Sequence, residues 1–226
     1  MVFTVSEAWK AAHPGASVGV LAIQGVINLR HHPLLDEHRE ELEQHLRSHY
    51  SGYDRAAVKA LPVIRAYNAY YKRFRKTYHV QLQLESVIRG EKSIPRAATL
   101  VEAMFMAELT NHLLTAGHDL EALELPVGID VAQGTEQYIR INGEEQQLKS
   151  GDMMISDATS IISSVLYGPD QRTRITPETK QVLFTVYVPP GIDEQLVSEH
   201  LRDILANVLV VAPTAKVEAL EIYGTS

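Results

Sequence analysis

SIISSVLYGPDQRTRITPETKQVLFTVYV, residues 160–188, is the stretch whose reading decides the fold. Two apolar, β-branched runs, 161–167 and 182–188, have the length and composition of buried strands. Gly168-Pro169 opens a turn between them. Thr176-Pro177 has the form of an N-cap followed by proline at the first helical position. The expectation is a long hairpin whose connection holds one helical turn. That connection carries Asp170, Gln171, Arg172, Thr173, Arg174, Thr176 and Thr179, more hydrogen-bonding capacity than a turn requires. Spare hydroxyls beside an arginine suit a carboxylate, a phosphate or a ribose. A solvated polar loop is the alternative reading.

Downstream, Pro189-Pro190-Gly191 breaks the chain before an amphipathic helix over 193–208 and a strand over 215–223. Upstream, short strands are expected at 125–131, 137–141 and 153–157, with turns at Asn142-Gly143 and Ser150-Gly151. Residues 99–115 are apolar almost all round, which predicts a central buried helix running into a tight turn, Ala116-Gly117-His118-Asp119. Its polar exceptions are Glu102, Glu108, Asn111 and His112. Glu108 and His112, four apart, are spaced to hydrogen-bond along one face. Helices are also expected over 6–13, 33–50, 62–78 and 82–89, with an interior strand over 18–27. Helices dominate the first half and strands the second, so the fold class is α+β, in one compact domain spanning 1–226.

Composition narrows the chemistry. The hydrophobic fraction of 45% and charged fraction of 22% are those of a globular protein. No apolar run approaches the roughly 18 residues of a membrane span. The amino terminus lacks the layout of a secretory signal, so a cytoplasmic location is expected. Zero cysteines exclude thiol nucleophiles, disulfides and cysteine-ligated zinc. His31, His32, His38, His45 and His49 fall in or beside the helix over 33–50. His45 and His49 have a chelating spacing, but there is no His-Glu-x-x-His pattern and no third ligand. A solvated face is the better account, and neither metal nor cofactor is expected.

The net charge of −7 opposes broad, non-specific nucleic-acid binding but leaves room for a local basic patch. Arg65, Lys72, Arg73, Arg75 and Lys76 form such a patch, with tyrosines beside it and no acidic residue among them. A face of that kind fits an RNA backbone; plain solvation is the other reading. There is no Walker A loop, no Gly-x-Gly-x-x-Gly after a strand and no Gly-x-Ser-x-Gly elbow, so no covalent nucleophile is advertised.

One further pattern emerges from the order of several short pieces. They are Tyr71-Lys72-Arg73-Phe74, then Leu84-Glu85-Ser86-Val87-Ile88-Arg89-Gly90, Ile94-Pro95-Arg96, Leu100-Val101-Glu102 and Gly117-His118-Asp119. Gly168-Pro169-Asp170-x-Arg172-Thr173-x-Ile175-Thr176-Pro177-x-Thr179 closes the series. Together, over residues 60–190, they resemble the B3/B4 domain, the tRNA-binding and editing module of the bacterial phenylalanyl-tRNA synthetase beta subunit. The resemblance implies layered sheets and helices, with a pocket between them in which mischarged tRNA is hydrolysed. Carried over by position, His118, Asp119, Asp170, Arg172 and Thr173 would be catalytic. Glu102, Gly117, Gly168 and Thr176 would bind substrate. Arg65, Lys72, Arg73 and Lys76 would meet RNA. The family often has aspartate at the position of Glu102 and an aromatic residue at that of His118, so amino-acid specificity does not transfer. Aminoacylation machinery is missing. Three readings follow: a free-standing deacylase of mischarged tRNA, a non-catalytic tRNA or aminoacyl-binding module, and a hydrolase or sensor of a small amino-acid-like metabolite. Homo-oligomerisation is left open.

Overall fold

The computed structural model describes residues 3–224. The first half runs β1 (Phe3–Val5), α1 (Glu7–Ala12), β2 (Ser17–Gln24), α2 (Pro33–His49), α3 (Arg55–Ala60), α4 (Pro62–Lys72), α5 (His79–Ile88) and α6 (Thr99–Asn111). The second half runs β3 (Leu114–Asp119), β4 (Val127–Val131), β5 (Gln137–Ile139), β6 (Glu145–Gln147), β7 (Met153–Ser156), β8 (Ile161–Ser164) and β9 (Gly168–Pro169). It closes with β10 (Gln181–Val188), α7 (Glu194–Val211) and β11 (Lys216–Gly224). The class is α+β, with helices concentrated early and strands late.

Two sheets carry the core. One has the order β11-β2-β10-β3, antiparallel throughout; the other is β1-β4-β7-β8-β9, in which only β1 and β4 are parallel. β2 and β10 are buried almost end to end, as inner strands covered on both faces must be. The sheets meet where the Ser163 and Tyr187 hydroxyls lie 2.6 Å apart. On the opposite face of the first sheet, α7 packs so closely over Gly19 that a Cβ there would stand 2.9 Å from Val197. α6 lies against α7, tied by Asn111 to Asp203 at 2.8 Å.

Tyrosines pin the helical layer to the sheets. Tyr67 donates its hydroxyl to the Tyr187 carbonyl and accepts the Leu114 N–H at 2.9 Å, bridging the end of the β3–β10 ladder. Tyr71 reaches the Val165 carbonyl at 2.8 Å, and Tyr78 reaches the His112 carbonyl at the same distance. Tyr70 donates to Asp152 at 2.7 Å. Burial holds the phenols of all four far above their ordinary pKa, so they act as neutral hydrogen bonders.

Five expectations are corrected. β8 and β10 belong to different sheets, so residues 170–180 cross between sheets instead of closing a hairpin. Runs apolar on both faces do not say which sheet they join. The segment also holds a turn, not a helical one, closed by the Thr179 N–H on the Thr176 carbonyl at 3.2 Å. The helix predicted over 99–115 stops at Asn111, and Ala116–Asp119, predicted as a turn, is strand. His112 takes a left-handed conformation, φ 61°, and its N–H caps the Glu108 carbonyl at 2.7 Å. Likewise the helix predicted over 62–78 ends at Lys72. Arg75 sits at φ 58° while the Lys76 N–H reaches back to the Tyr71 carbonyl at 3.1 Å. In both cases a residue other than glycine occupies the position where glycine would have signalled the stop.

Tyr67→Phe should lower unfolding stability by about 1–3 kcal/mol, because it strips a buried donor and a buried acceptor of their shared partner. Denaturant titration followed by far-UV circular dichroism measures this, with an unchanged slope expected.

Candidate functional site

The seam between the helical layer and the sheets encloses a cavity of about 330 Å³. α6 contributes Val101, Met104, Phe105 and Glu108, one stripe at helical spacing. α5 adds His79 and Gln83, and the β3 edge adds residues 114–117. The far wall is Ser164, Val165, Gly168, Pro169 and Ile175. The lining is mostly apolar with a few converging polar groups, and its size is at the small end of the ~300–1,000 Å³ typical of ligand sites.

β3 is an edge strand, and its free side faces this cavity. The Thr115 N–H points outward to Glu108 Oε1 at 2.8 Å, and the Asp119 N–H to the Thr173 carbonyl at 2.7 Å. Alternate residues of a strand present their backbone groups to the same side, so the N–H and C=O of Gly117 point outward too. Outside the strand ladders, no backbone or side-chain group among the described residues bonds to them. Glycine is required here by close approach, since a Cβ would stand 2.8 Å from Ile175 Cδ1.

Besides Tyr187, whose phenol burial holds far above its ordinary value, two titratable groups sit on the wall. Glu108 is buried, and burial pushes its carboxyl up to about 8 against the opposing effect of the Thr115 N–H. His79 stands at the rim with Nδ1 3.4 Å from the Tyr71 hydroxyl. Tyr71 spends its proton on Val165, so its oxygen accepts Nδ1–H and leaves His79 Nε2 with a free lone pair. Although its edge meets solvent, enough protein surrounds the ring to lower its pKa, which keeps it neutral at pH 7.

Of the site residues expected from the family resemblance, Gly117 and Gly168 line this cavity. His118, Asp170 and Thr173 form a buried clamp beside it, with half-buried Asp119 next to it. Asp170 accepts from the Thr173 hydroxyl and N–H, and the Thr173 oxygen lies 2.8 Å from His118 Nδ1. The hydroxyl proton goes to the carboxylate, so His118 donates from Nδ1; burial drives its pKa down to about 3 and keeps the ring neutral. Asp119 accepts from the Thr179 hydroxyl at 2.7 Å. Thr176 closes the turn with Thr179, and its carbonyl accepts from Asn28 at 2.9 Å. Arg172 bonds Asp157 and the Ala122 carbonyl, each at 2.7 Å, and borders a separate hollow with Asp170. Glu102 lies on another face of α6, 2.6 Å from Arg39 Nε but misaligned for a hydrogen bond, beside a hollow that includes Arg30 and Arg96.

Arg65, Lys72, Arg73 and Lys76 are all exposed. Lys76 Nζ stands 4.4 Å above the Tyr167 ring, one residue from Gly168 on the cavity wall, so the basic patch borders the cavity. His45 and His49 stack on an exposed face of α2, and no group of three or more metal-ligating side chains forms among the described residues. Glu108 and His112 meet through the backbone cap instead of their side chains; the His112 ring lies 3.2 Å from the Tyr50 hydroxyl. His79 and Gln83 carried no signal in the sequence. Glu108 did, as a carboxylate inside an otherwise apolar helix.

A family model described as the B3/4 domain matches residues 66–204, more than half of the chain, and the chain belongs to that family. Among solved structures it is similar to an N-terminal fragment of the phenylalanyl-tRNA synthetase beta-subunit from Pyrococcus horikoshii, with a TM-score of 0.50 and 13% identity. That likeness covers 96% of this chain and 50% of the fragment, and at this identity it concerns the fold. No curated protein sequence matches the chain. No helix among the described residues is long and apolar enough to cross a membrane.

Glu108 stays protonated in the folded chain to about pH 8, whereas its ordinary value is 4.5. It therefore subtracts stability progressively as pH rises through that interval. Glu108→Gln keeps an acceptor for Thr115 and removes the titration. Urea unfolding should find the variant more stable than the parent by a few kcal/mol at pH 8, and no more stable at pH 4.

Proposed function

We propose that this chain is a deacylase that hydrolyses the ester of a tRNA carrying a bulky apolar amino acid, with the aminoacyl group seated in the cavity between α6 and the β3 edge. The observation that carries the reading is the juxtaposition of an apolar cavity with the outward N–H of Gly117 on the edge strand. An aminoacyl side chain fills the first, and the ester carbonyl accepts from the second. The family membership and the likeness to a fragment of a tRNA synthetase subunit support tRNA as the carrier. The basic patch beside Tyr167 offers a path for the phosphate backbone.

The chemistry follows from the geometry. Water attacks the ester carbonyl; His79 Nε2 takes its proton, and the developing oxyanion is met by Gly117 N–H. Collapse expels the ribose oxygen, which recovers a proton, leaving a free amino acid and an uncharged tRNA. An aminoacyl ester is already activated, so positioning and one oriented donor suffice without a covalent intermediate. In this reading the Asp170–Thr173–His118 clamp, Asp119 and Arg172 hold the 170–175 segment against the cavity wall, and Glu102 fixes α6 from its other face. A second reading, aminoacyl binding without turnover, is favoured by one observation: Ser164 Oγ, on the far wall, is taken up by the Tyr167 N–H and by the Asp152 and Tyr138 side chains, so its bonds serve the fold.

Incubation with a panel of mischarged tRNAs, measuring released amino acid, separates these readings. Release should be greatest for bulky apolar residues and survive chelators. Val101→Trp, which fills the cavity from a half-buried helical position, should reduce it at least tenfold with the fold retained. Binding of charged tRNA with no release would leave only the second reading.

Reversing Arg65, Lys72 and Lys76 to glutamate should weaken tRNA binding and lower its salt dependence by roughly 0.7–0.9 log units per lost phosphate contact. A minimal aminoacyl ester should be cleaved as before. Unchanged tRNA affinity in filter binding would remove this patch from the account.

A further inference from the structure

We propose that Glu108 holds the α-ammonium group of the bound ligand, so that the cavity selects a primary amine attached to a bulky apolar side chain. This deepens the reading above and rests on it. Glu108 is 2% exposed and belongs to the α6 stripe that faces the cavity. One oxygen is fixed by the Thr115 N–H; among the described residues the other has no partner, and the carboxyl forms no ion pair. A hydrogen bond to Thr115 alone does not call for a carboxylate, since glutamine would make it without the cost of burying an acid. What the site lacks is a cation, and an ammonium brought by the ligand supplies one.

No resident charge competes for this role. The Tyr67, Tyr71 and Tyr78 phenols that face Glu108 are held neutral by burial. His200, 2.7 Å from the Thr115 hydroxyl, is driven down to about 3 by burial and is neutral as well. His79, across the cavity, has its pKa lowered. The β3 edge fixes the ligand's direction. Thr115 and Gly117 are successive outward positions, roughly 7 Å apart along a strand. With Glu108 anchored at Thr115, the amine lies towards that end and the ester carbonyl towards the Gly117 N–H.

Isothermal titration at pH 6 tests this with two probes that differ only in the amine, L-phenylalaninamide and 3-phenylpropionamide. At that pH the first is an ammonium and Glu108 is protonated, so binding must expel a proton. The amine-bearing amide should bind at least tenfold more tightly. It should release close to one proton per ligand, read from the dependence of heat on buffer ionisation. Glu108→Gln should abolish both the preference and the release. Equal binding of the two amides, no binding of either, no proton release, or an unchanged preference in the variant would each overturn the proposal. If the variant does not fold, the two probes on the native chain decide. Amine-selective binding without deacylation of any tRNA would leave this inference standing and defeat the deacylase; deacylation with no amine preference would do the reverse.

Discussion

Four tyrosine hydroxyls set the distance between the helical layer and the sheets, and the rest of the structure depends on that spacing. Tyr67, Tyr70, Tyr71 and Tyr78 come from α4 and the turn after it, and each ends on a group of the sheet side or the α6 cap. Tyr67 and Tyr78 stack with ring centroids 4.2 Å apart and planes 4° from parallel, which stiffens the array. Hydroxyls of fixed reach satisfy backbone groups that would be costly to leave bare. The cavity is the space left beside these bridges. Asp152, pushed up to about 7 by burial, takes its place in the same network through Tyr70, whose oxygen also accepts the Met153 N–H at 2.7 Å.

An edge strand offers bare backbone groups, and proteins generally cover or pair them. Here β3 is dealt with unequally. Glu108 covers the Thr115 N–H, and Thr173 covers that of Asp119. Gly117 between them remains open towards an apolar hollow. The clamp of Asp170, Thr173 and His118 has its role here: it brings the 170–175 segment to the strand, with Ile175 packed where a Cβ of residue 117 would otherwise go. Residues that look like chemistry in a polar loop thus hold the wall, and a glycine and one buried acid face the cavity.

Much of the fold was legible. The proline-started helix α2, the inner strands β2 and β10, and the amphipathic α7 lie where periodicity and breakers put them. The failures have physical causes. Arg75 and His112 end helices in left-handed conformations without announcing it by composition. Gly117 and Asp119 look like turn residues, yet β10 pairs with them, and tertiary pairing overrides local preference. The distribution of strands between two sheets is decided by packing that no local pattern encodes. For the site, the order of short motifs pointed to the family and to Gly117 and Gly168. Gln83 and His79 were invisible, because an isolated polar residue on a helix signals nothing until a cavity forms beside it. Glu108 was visible as an acid in an apolar helix, and its direction required the strand that follows.

The proposed activity requires an aminoacyl group seated between α6 and the open edge of β3. A crystal structure of the chain with a non-hydrolysable 3′-amide analogue of phenylalanyl-adenosine measures this most directly. The benzyl group is expected among Val101, Met104 and Phe105, the amine on Glu108 and the carbonyl oxygen on the Gly117 N–H. An analogue bound instead in the hollow beside Arg172, or in the one beside Arg30 and Arg96, with the cavity empty, would contradict it.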